Sequence, residues 1–539
     1  MDKRAFLAIA LSILILVIYQ EWVTRYYGTP TLAPEAEKKE PEKTPIPGQP
    51  QPAQTAPPQV KPVPLPVSRE AKNIQVETDN YIAVFTNQGA RLKSFKFKKY
   101  RSSVEENSPP FDIVQSAPGV PLPLGIRWQS PAPFDDGELL YSVEGNDLKL
   151  TGDSKGALVF SGRTGNGAVI TKGFTFSGST YPVQLEVSVA PGDGSAPVPE
   201  VILTVQADHS VPNPDAHFEG FIALVDNKIH REPPTEIAKG HEFVGDIAWG
   251  GFGYTYFFFG LLPANGAQHR ITVQQSGPAF AAGINGPAGS AVNIQRYTLF
   301  VGPKDLDILK ALGKGLERSI DFGYFGFISI PFLYILHFFH GFTGSYGIDI
   351  ILLTVLIKLL MAPLTHKSFV SMKQMQKLQP QMERLKEKYK DDKEKLNKEI
   401  MELYRRNGVN PLGGCLPMAL QFPVFIGLYN ALSTPIELRH ARFLWIKDLS
   451  RPDWQSLPFT LGSWHLGISV LTILMGASMF LQQWMTPSAG DPNQRKMMLM
   501  MPLIFTFMFV SFPAGLTVYW LVNNVLTIGQ QYWINRMEK

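Results

Sequence analysis

The sequence predicts a helical membrane core joined to a large all-β domain outside the membrane. Three observations carry this reading. Apolar residues gather into long runs at the start of the chain and beyond Ile320, while the stretch from Arg69 to Leu316 is broken into short alternating segments. The mean hydropathy of −0.02 is ordinary although aromatics reach 12%, so apolar segments must be diluted by polar ones elsewhere. Charged residues are 18% of the 539, below the roughly 25% of an average soluble protein. The length exceeds what one compact core fills, so at least two structural units are expected. A formal net charge of +4 cannot support bulk attraction to nucleic acid, and no specific nucleic-acid partner is expected. The single cysteine, Cys415, excludes an internal disulfide framework and any multi-cysteine metal site.

Residues 1–23 begin with Lys3 and Arg4, continue as an apolar run from Ala5 to Tyr19, and leave through Trp22 and Tyr26. No small-residue cleavage site follows, so the segment reads as an uncleaved signal anchor with its start in the cytoplasm; a cleaved signal peptide is the alternative. Residues 24–68 are a proline-rich linker, from Pro30 to Pro66, that favours extended backbone and cannot bury a core. Residues 69–318 form the β domain. Val183, Leu185, Val187 and Val189 alternate with polar residues, and Gly, Asn, Asp and Pro punctuate the runs, as in a large antiparallel sandwich. The patch from Trp249 to Leu262 is too short and glycine-interrupted to span a bilayer and reads as a buried strand pair. Asp305 to Leu316 reads as the helix that closes the domain.

Residues 319–539 are the membrane core. An amphipathic helix over 322–342 is expected in the outer interface, followed by spans at about 346–364, 415–432, 465–484, 497–512 and 514–532. With the first anchor this makes six transmembrane helices. The segment 366–410 carries twelve Lys and Arg residues from Lys367 to Arg406, which places it in the cytoplasm together with both termini. The weak point is Glu437 to Arg451, which must lie outside despite Arg439, Arg442 and Lys447. The cytoplasmic segment reads as a helical hairpin. Met372, Met375 and Met382 recur at helical spacing on its first arm, and Asp391 or Asp392 caps the second. Those methionines either offer an adaptable apolar surface or simply hold the hairpin together.

Lys358 stands inside the run from Leu353 to Pro363, where a central lysine costs roughly 2.5–3.5 kcal/mol and needs water or a partner. Uncharged polar residues are the available company. Thr354 lies one turn away on the same face; Thr517, Trp520, Asn524, Thr527 and Gln531 share a face of the last span; Ser478 and Gln482 share one in the fourth, and Gln421 sits in the third. This pattern fits a wet cavity among the helices. Snorkelling of Lys358 and interhelical hydrogen bonds in a dry bundle are the alternatives. His337 and His340 share a face of the interfacial helix and read as headgroup contacts. Phosphate-loop, zinc-protease and nucleophile-elbow motifs are absent from the chain, so no catalytic residue, metal or cofactor is expected.

The stretch Asn410-Pro-Leu-Gly-Gly-Cys-Leu-Pro417 through Gln421 to Tyr429, with Phe512 to Trp520 and Met361 to Thr365, resembles the signatures of the YidC/Oxa/Alb family of membrane protein insertases. The order of elements is similar to its Gram-negative members along the whole chain. The resemblance implies a supersandwich periplasmic domain, an inner-membrane location, and a five-helix core with a lipid-open hydrophilic groove. It also implies insertion of nascent membrane proteins without ATP, alone or beside the Sec translocon. The groove would comprise Lys358, Thr354, Gln421, Ser478, Gln482, Thr517, Tyr519, Trp520 and Asn524. Two departures stand out. The groove cation in this family is commonly Arg, which has a planar fork that Lys358 lacks. A long basic tail found in some relatives is missing after the last span, so ribosome contact is expected at the hairpin and at the Arg495-Lys496 loop. A small-solute transporter and a structural scaffold are the competing classes. The lack of intramembrane carboxylate relays weakens the first.

Overall fold

The computed structural model describes residues 70–537 apart from 106, 115–116, 131, 193–195, 208–216, 266–267, 288–291, 410–415, 462–463 and 487–491. The signal anchor, the linker and Cys415 lie outside the described residues, as do the side chains of Arg495 and Lys496.

Among the described residues the β domain is built from three sheets. A nine-stranded antiparallel sheet runs from Lys228–Glu232 through Phe218–Val225, Ile247–Tyr254, Phe257–Pro263, Asn293–Pro303, Val183–Ala190, Val169–Ser177 and Lys155–Arg163 to Ser142–Glu144. Sheets of six and five strands accompany it. Alternation in the sequence becomes alternation of faces: Val183, Leu185, Val187 and Val189 are each at most 2% exposed, while Gln184 and Glu186 face outward. The Trp249 to Leu262 patch is a buried antiparallel pair in which Gly251 sits opposite Gly260 and Phe252 opposite Phe259. Glycine is required there, because a Cβ on Gly251 would run into the Gly260 backbone and the Phe258 ring.

A charged cluster sits inside this domain. The Lys172 ammonium, 1% exposed, donates to the Gly89 and Leu124 carbonyls at 2.6 and 2.8 Å and lies 2.6 Å from Asp136 Oδ2. Asp136 also accepts from Arg91 Nη2 at 3.0 Å and from the Tyr141 hydroxyl at 3.0 Å. Burial pulls Lys172 down to about 8, against the attraction of Asp136. Burial and the neighbouring Asp136 push Tyr141 upward.

Nine helices appear among the described residues when the short turn α1 (Pro234–Ile237) is counted. Helix α2 (Leu306–Leu312) is capped by Asp305, whose carboxylate accepts from Asp307 N and Ile308 N, and it ends at Gly313 with φ +71°. It therefore stops short of Leu316, where a 3₁₀ turn begins. Then come α3 (Gly326–Thr343), α4 (Tyr346–Lys388), α5 (Lys393–Arg406), α6 (Leu416–Ser433), α7 (Val470–Met485), α8 (Pro492–Phe509) and α9 (Ala514–Met537). By length and composition α3 and α4 can cross a membrane; α7 and the Met498–Phe509 part of α8 are shorter apolar helices.

Among the boundaries that differ from the sequence reading, two change the kind of structure expected. The span expected from His465 begins at Val470, because Trp464–Ile468 is a strand paired with Gln455–Leu461 and Ser469 caps the helix through Thr472 N at 3.2 Å. Helix α4 does not stop near Leu364. It continues for 43 residues, about 65 Å at 1.5 Å per residue, twice the roughly 30 Å hydrocarbon thickness. Its second half is the first arm of the hairpin, and α5, capped by Asp392 through Lys395 N at 3.0 Å, is the second. Met382 is 7% exposed and accepts from the Tyr404 hydroxyl at 2.9 Å, whereas Met372 and Met375 are half-buried.

The β domain meets the helical half through Arg439, 7% exposed, in the segment between α6 and α7. Its Nη2 donates to the Arg101 carbonyl at 2.5 Å, and the guanidinium stands 5.8 and 5.7 Å from the Phe111 and Phe257 ring centres. Phe322, Leu333 and Ile436 join the buried apolar cluster of the β domain.

Asp136→Ala should leave Lys172 and Arg91 without their buried carboxylate, costing about 3–5 kcal/mol. Pulse proteolysis across a urea series, following the β-domain fragment of the full-length protein, measures it. The unfolded chain holds the Lys172 proton up to the ordinary value of 10.5, so the contribution of this site to stability should rise with pH from about 8 to 10.5.

Candidate functional site

Helix α9 lies against both α7 and α4, and its polar face is turned into the bundle. Thr517, Asn524, Thr527 and Gln531 are 1%, 2%, 5% and 3% exposed at spacings of seven, three and four. The opposite face carries Val525, Tyr532 and Trp533, each more than half exposed. Helical periodicity alone sorts these residues into two faces. What each polar side chain reaches depends on its height along the helix.

Lys358 Nζ donates to Thr527 Oγ1 at 2.6 Å, and Thr527 in turn donates to its own helix at Asn523 O, 2.6 Å. Asn524 Nδ2 donates to Ser478 Oγ at 3.0 Å, and Ser478 bonds back to Met475 O at 2.6 Å. Gln531 Nε2 donates to Thr486 Oγ1 at 2.9 Å, just beyond the end of α7. Gln421 Nε2 and the Tyr519 hydroxyl stand 3.5 Å apart between α6 and α9. Four of the expected residues have other surroundings. Thr354 bonds back to Ile350 O at 2.6 Å and does not meet Lys358, although both lie on one face of α4. Thr517 bonds back to Pro513 O at 3.3 Å. Trp520 packs among Phe425 and Phe509 at 5.1 and 5.0 Å between ring centres. The Gln482 side chain is half-buried, and its carbonyl accepts from Thr486.

The Lys358 ammonium has three donors, and Thr527 occupies one. No carboxylate among the described residues forms an ion pair with it, so the helix brings a cation into apolar surroundings with capacity left for water or for an incoming acceptor. Thr527 was visible as part of the polar face of α9. Its selection as the partner of Lys358 needed the rotational setting of two helices.

The two histidines of α3, partly exposed, each face a carboxylate of the protein. His340 Nδ1 is 2.8 Å from Asp349 Oδ2, and Thr343 donates to the other oxygen of that fully buried carboxylate. The His340 ring also stacks on Tyr346 at 3.8 Å. His337 Nε2 is 3.2 Å from Glu437 Oε1. These pairs tie α3 to the start of α4 and to the segment after α6.

Comparison with known proteins covers both halves. A family model described as the 60Kd inner membrane protein matches residues 338–539, and one described as the YidC periplasmic domain matches residues 73–335. A membrane protein insertase YidC of Pelobacter propionicus is 39% identical over 100% of this chain and 99% of its own. One from Syntrophus aciditrophicus is 40% identical over 99% of this chain and all of its own, and one from Geobacter sp. strain M21 is 42% identical over 86% of each.

The Asn524 to Ser478 bond joins α9 to α7. Asn524→Ala should lower stability by roughly 0.6–1.7 kcal/mol, measured by graded SDS unfolding in mixed micelles.

Proposed function

The chain belongs to the YidC family of membrane protein insertases, and we propose that it lowers the barrier for moving polar segments of nascent proteins across the inner membrane through a groove centred on Lys358. The observation that carries this reading is the ammonium of Lys358, set within an apolar helix, with one donor taken by Thr527 and no carboxylate partner among the described residues. Crossing hydrocarbon unaided would strip water from the acidic residues of such a segment. A carboxylate arriving near Lys358 gains a charge-assisted hydrogen bond in exchange.

In this reading Thr354, Gln421, Ser478, Gln482, Thr517, Tyr519, Trp520 and Asn524 form the polar wall along which the segment moves, while its apolar helix leaves sideways into lipid. The process is physical, with no covalent step and no ATP. Six spans, counting the N-terminal anchor, put both termini and the hairpin in the cytoplasm and the β domain in the periplasm. Contacts across the segment between α6 and α7 support that orientation. Arg439 turns into the β domain and Lys447 lies 3.8 Å from Glu105, so this basic stretch keeps company with the domain on the outer side. The Sec translocon and the ribosome are the proposed partners, the latter at the hairpin bearing Met372, Met375 and Met382 and at the Arg495-Lys496 loop. Membrane lipids surround the core.

The groove charge is tested by protease protection of reporter proteins whose outer tails carry different numbers of Asp, at matched expression. Coulomb attraction at contact in a half-hydrated site is of order a few kcal/mol, enough to change a rate several-fold. Lys358→Arg should be near normal, Lys358→Ala should slow acidic tails several-fold, and Lys358→Glu should be worst for them. Equal loss for acidic and neutral tails would assign Lys358 to folding or hydration; normal insertion by the Glu variant would remove it from the mechanism.

Orientation is tested in a Cys415→Ser background. An impermeant thiol reagent should label Asp153→Cys but not Lys390→Cys in intact spheroplasts. Labelling at 390 from outside would overturn the topology.

A further inference from the structure

We propose that the tight hairpin at Phe443 to Ile446 is a lipid anchor that inserts into the phospholipid interface on the side of the membrane holding the β domain; this rests on α4 and α7 being spans. Phe443 and Ile446 exchange both backbone hydrogen bonds, at 2.9 and 2.8 Å, leaving Leu444 and Trp445 as a two-residue tip. Leu444 sits at φ +52° and is 75% exposed. At the first central position of such a turn glycine is the usual solution, since a side chain there crowds its own backbone. A leucine at this position is therefore disfavoured twice in water, by backbone conformation and by exposed apolar surface. An isolated exposed leucine needs no explanation; one held at positive φ beside a half-exposed tryptophan does.

The position of the tip decides what it meets. The Phe443 ring fills the space a side chain on Gly347 would need, in the first turn of α4. Trp445 Nε1 donates to Asp453 Oδ2 at 3.1 Å, and the same oxygen accepts from Leu471 N at 3.2 Å, in the first turn of α7. The hairpin is thus clamped between the beginnings of two spans, at the depth where the bilayer interface must lie. Trp454, 49% exposed, is close by in sequence. The exposed apolar face of the spans begins at the same level, with Ile348 at 42% and Val470 at 40%, and continues through Ile473 at 54% and Leu474 at 44%. The tip extends that lipid-facing surface. Tryptophan suits the site because its ring is apolar while its N–H keeps a polar partner, here Asp453.

The test uses the full-length Cys415→Ser protein in phosphatidylethanolamine and phosphatidylglycerol vesicles, with no substrate present. An environment-sensitive fluorophore on Leu444→Cys should shift its emission to the blue. It should resist aqueous iodide and lose most of its emission to lipids spin-labelled near the headgroup. A label on Trp454→Cys, whose backbone carries no such strain, should behave alike. Asp153→Cys should be quenched by iodide alone, and Leu474→Cys by lipids spin-labelled deeper in the chain. Iodide quenching at 444 and 454 equal to that at 153, with 474 still reached by lipid quenchers, overturns the anchor and leaves the span reading standing. Iodide quenching at 474 would remove the span reading and the anchor with it. Shielding at 444 that develops only when ribosome-bound nascent chains are added would assign the tip to polypeptide and overturn the lipid assignment.

Discussion

Hydrocarbon supplies no hydrogen bonds, so with α9 read as a span every polar side chain it turns into the bundle must be answered by protein or by retained water. That requirement organises the helical half. Asn524 is answered by Ser478, Gln531 by Thr486, and Thr527 by Lys358, which together link α9 to α7 and to α4. Each bond contributes modestly, since polar groups also find partners in the unfolded membrane state. Their geometric effect is larger, because rotating α9 would break all of them together. The exception is the donor capacity left on Lys358, and this is the group on which the proposed insertion mechanism turns.

Charge in the segment between α6 and α7 obeys a related constraint. In the proposed orientation the basic residues of this segment lie on the outer side, against the usual distribution of Lys and Arg. Here Arg439 is removed from solvent by the Arg101 carbonyl and the Phe111 and Phe257 rings, Lys447 faces Glu105, and Arg451 lies 3.7 Å from Asp448. The same segment sends Glu437 to His337, and α4 sends Asp349 to His340. Docking of the β domain therefore uses basic charges that run against the linear pattern, while α3 is seated by carboxylates of this segment and of α4.

Much of this was legible beforehand because it depends on local periodicity. Alternation in Val183 to Val189 marks a strand whatever it pairs with, and Asp305 and Asp392 cap helices through bonds to their own next turns. Errors came where a local signal had two physical meanings. His465 to Ile468 continues an apolar run, and composition does not separate a short strand from the start of a helix; pairing with Gln455–Leu461 does. The change from apolar to charged residues after Leu364 marks where α4 can leave the membrane, but backbone hydrogen bonding has no reason to end there.

The sequence by itself determined which faces are polar, which segments are apolar enough to enter a bilayer, and that Lys358 would need a partner or water. These are properties of neighbours within a few residues. Only the tertiary structure decided that the partner is Thr527, 169 residues away, and not Thr354 on the next turn, which satisfies itself at Ile350 O. It also decided that His337 and His340 face carboxylates, and that Arg439 is enclosed by the β domain. Hydrogen-bond partners across elements depend on helix height and rotation to within about an ångström, and no periodicity in a single segment carries that information.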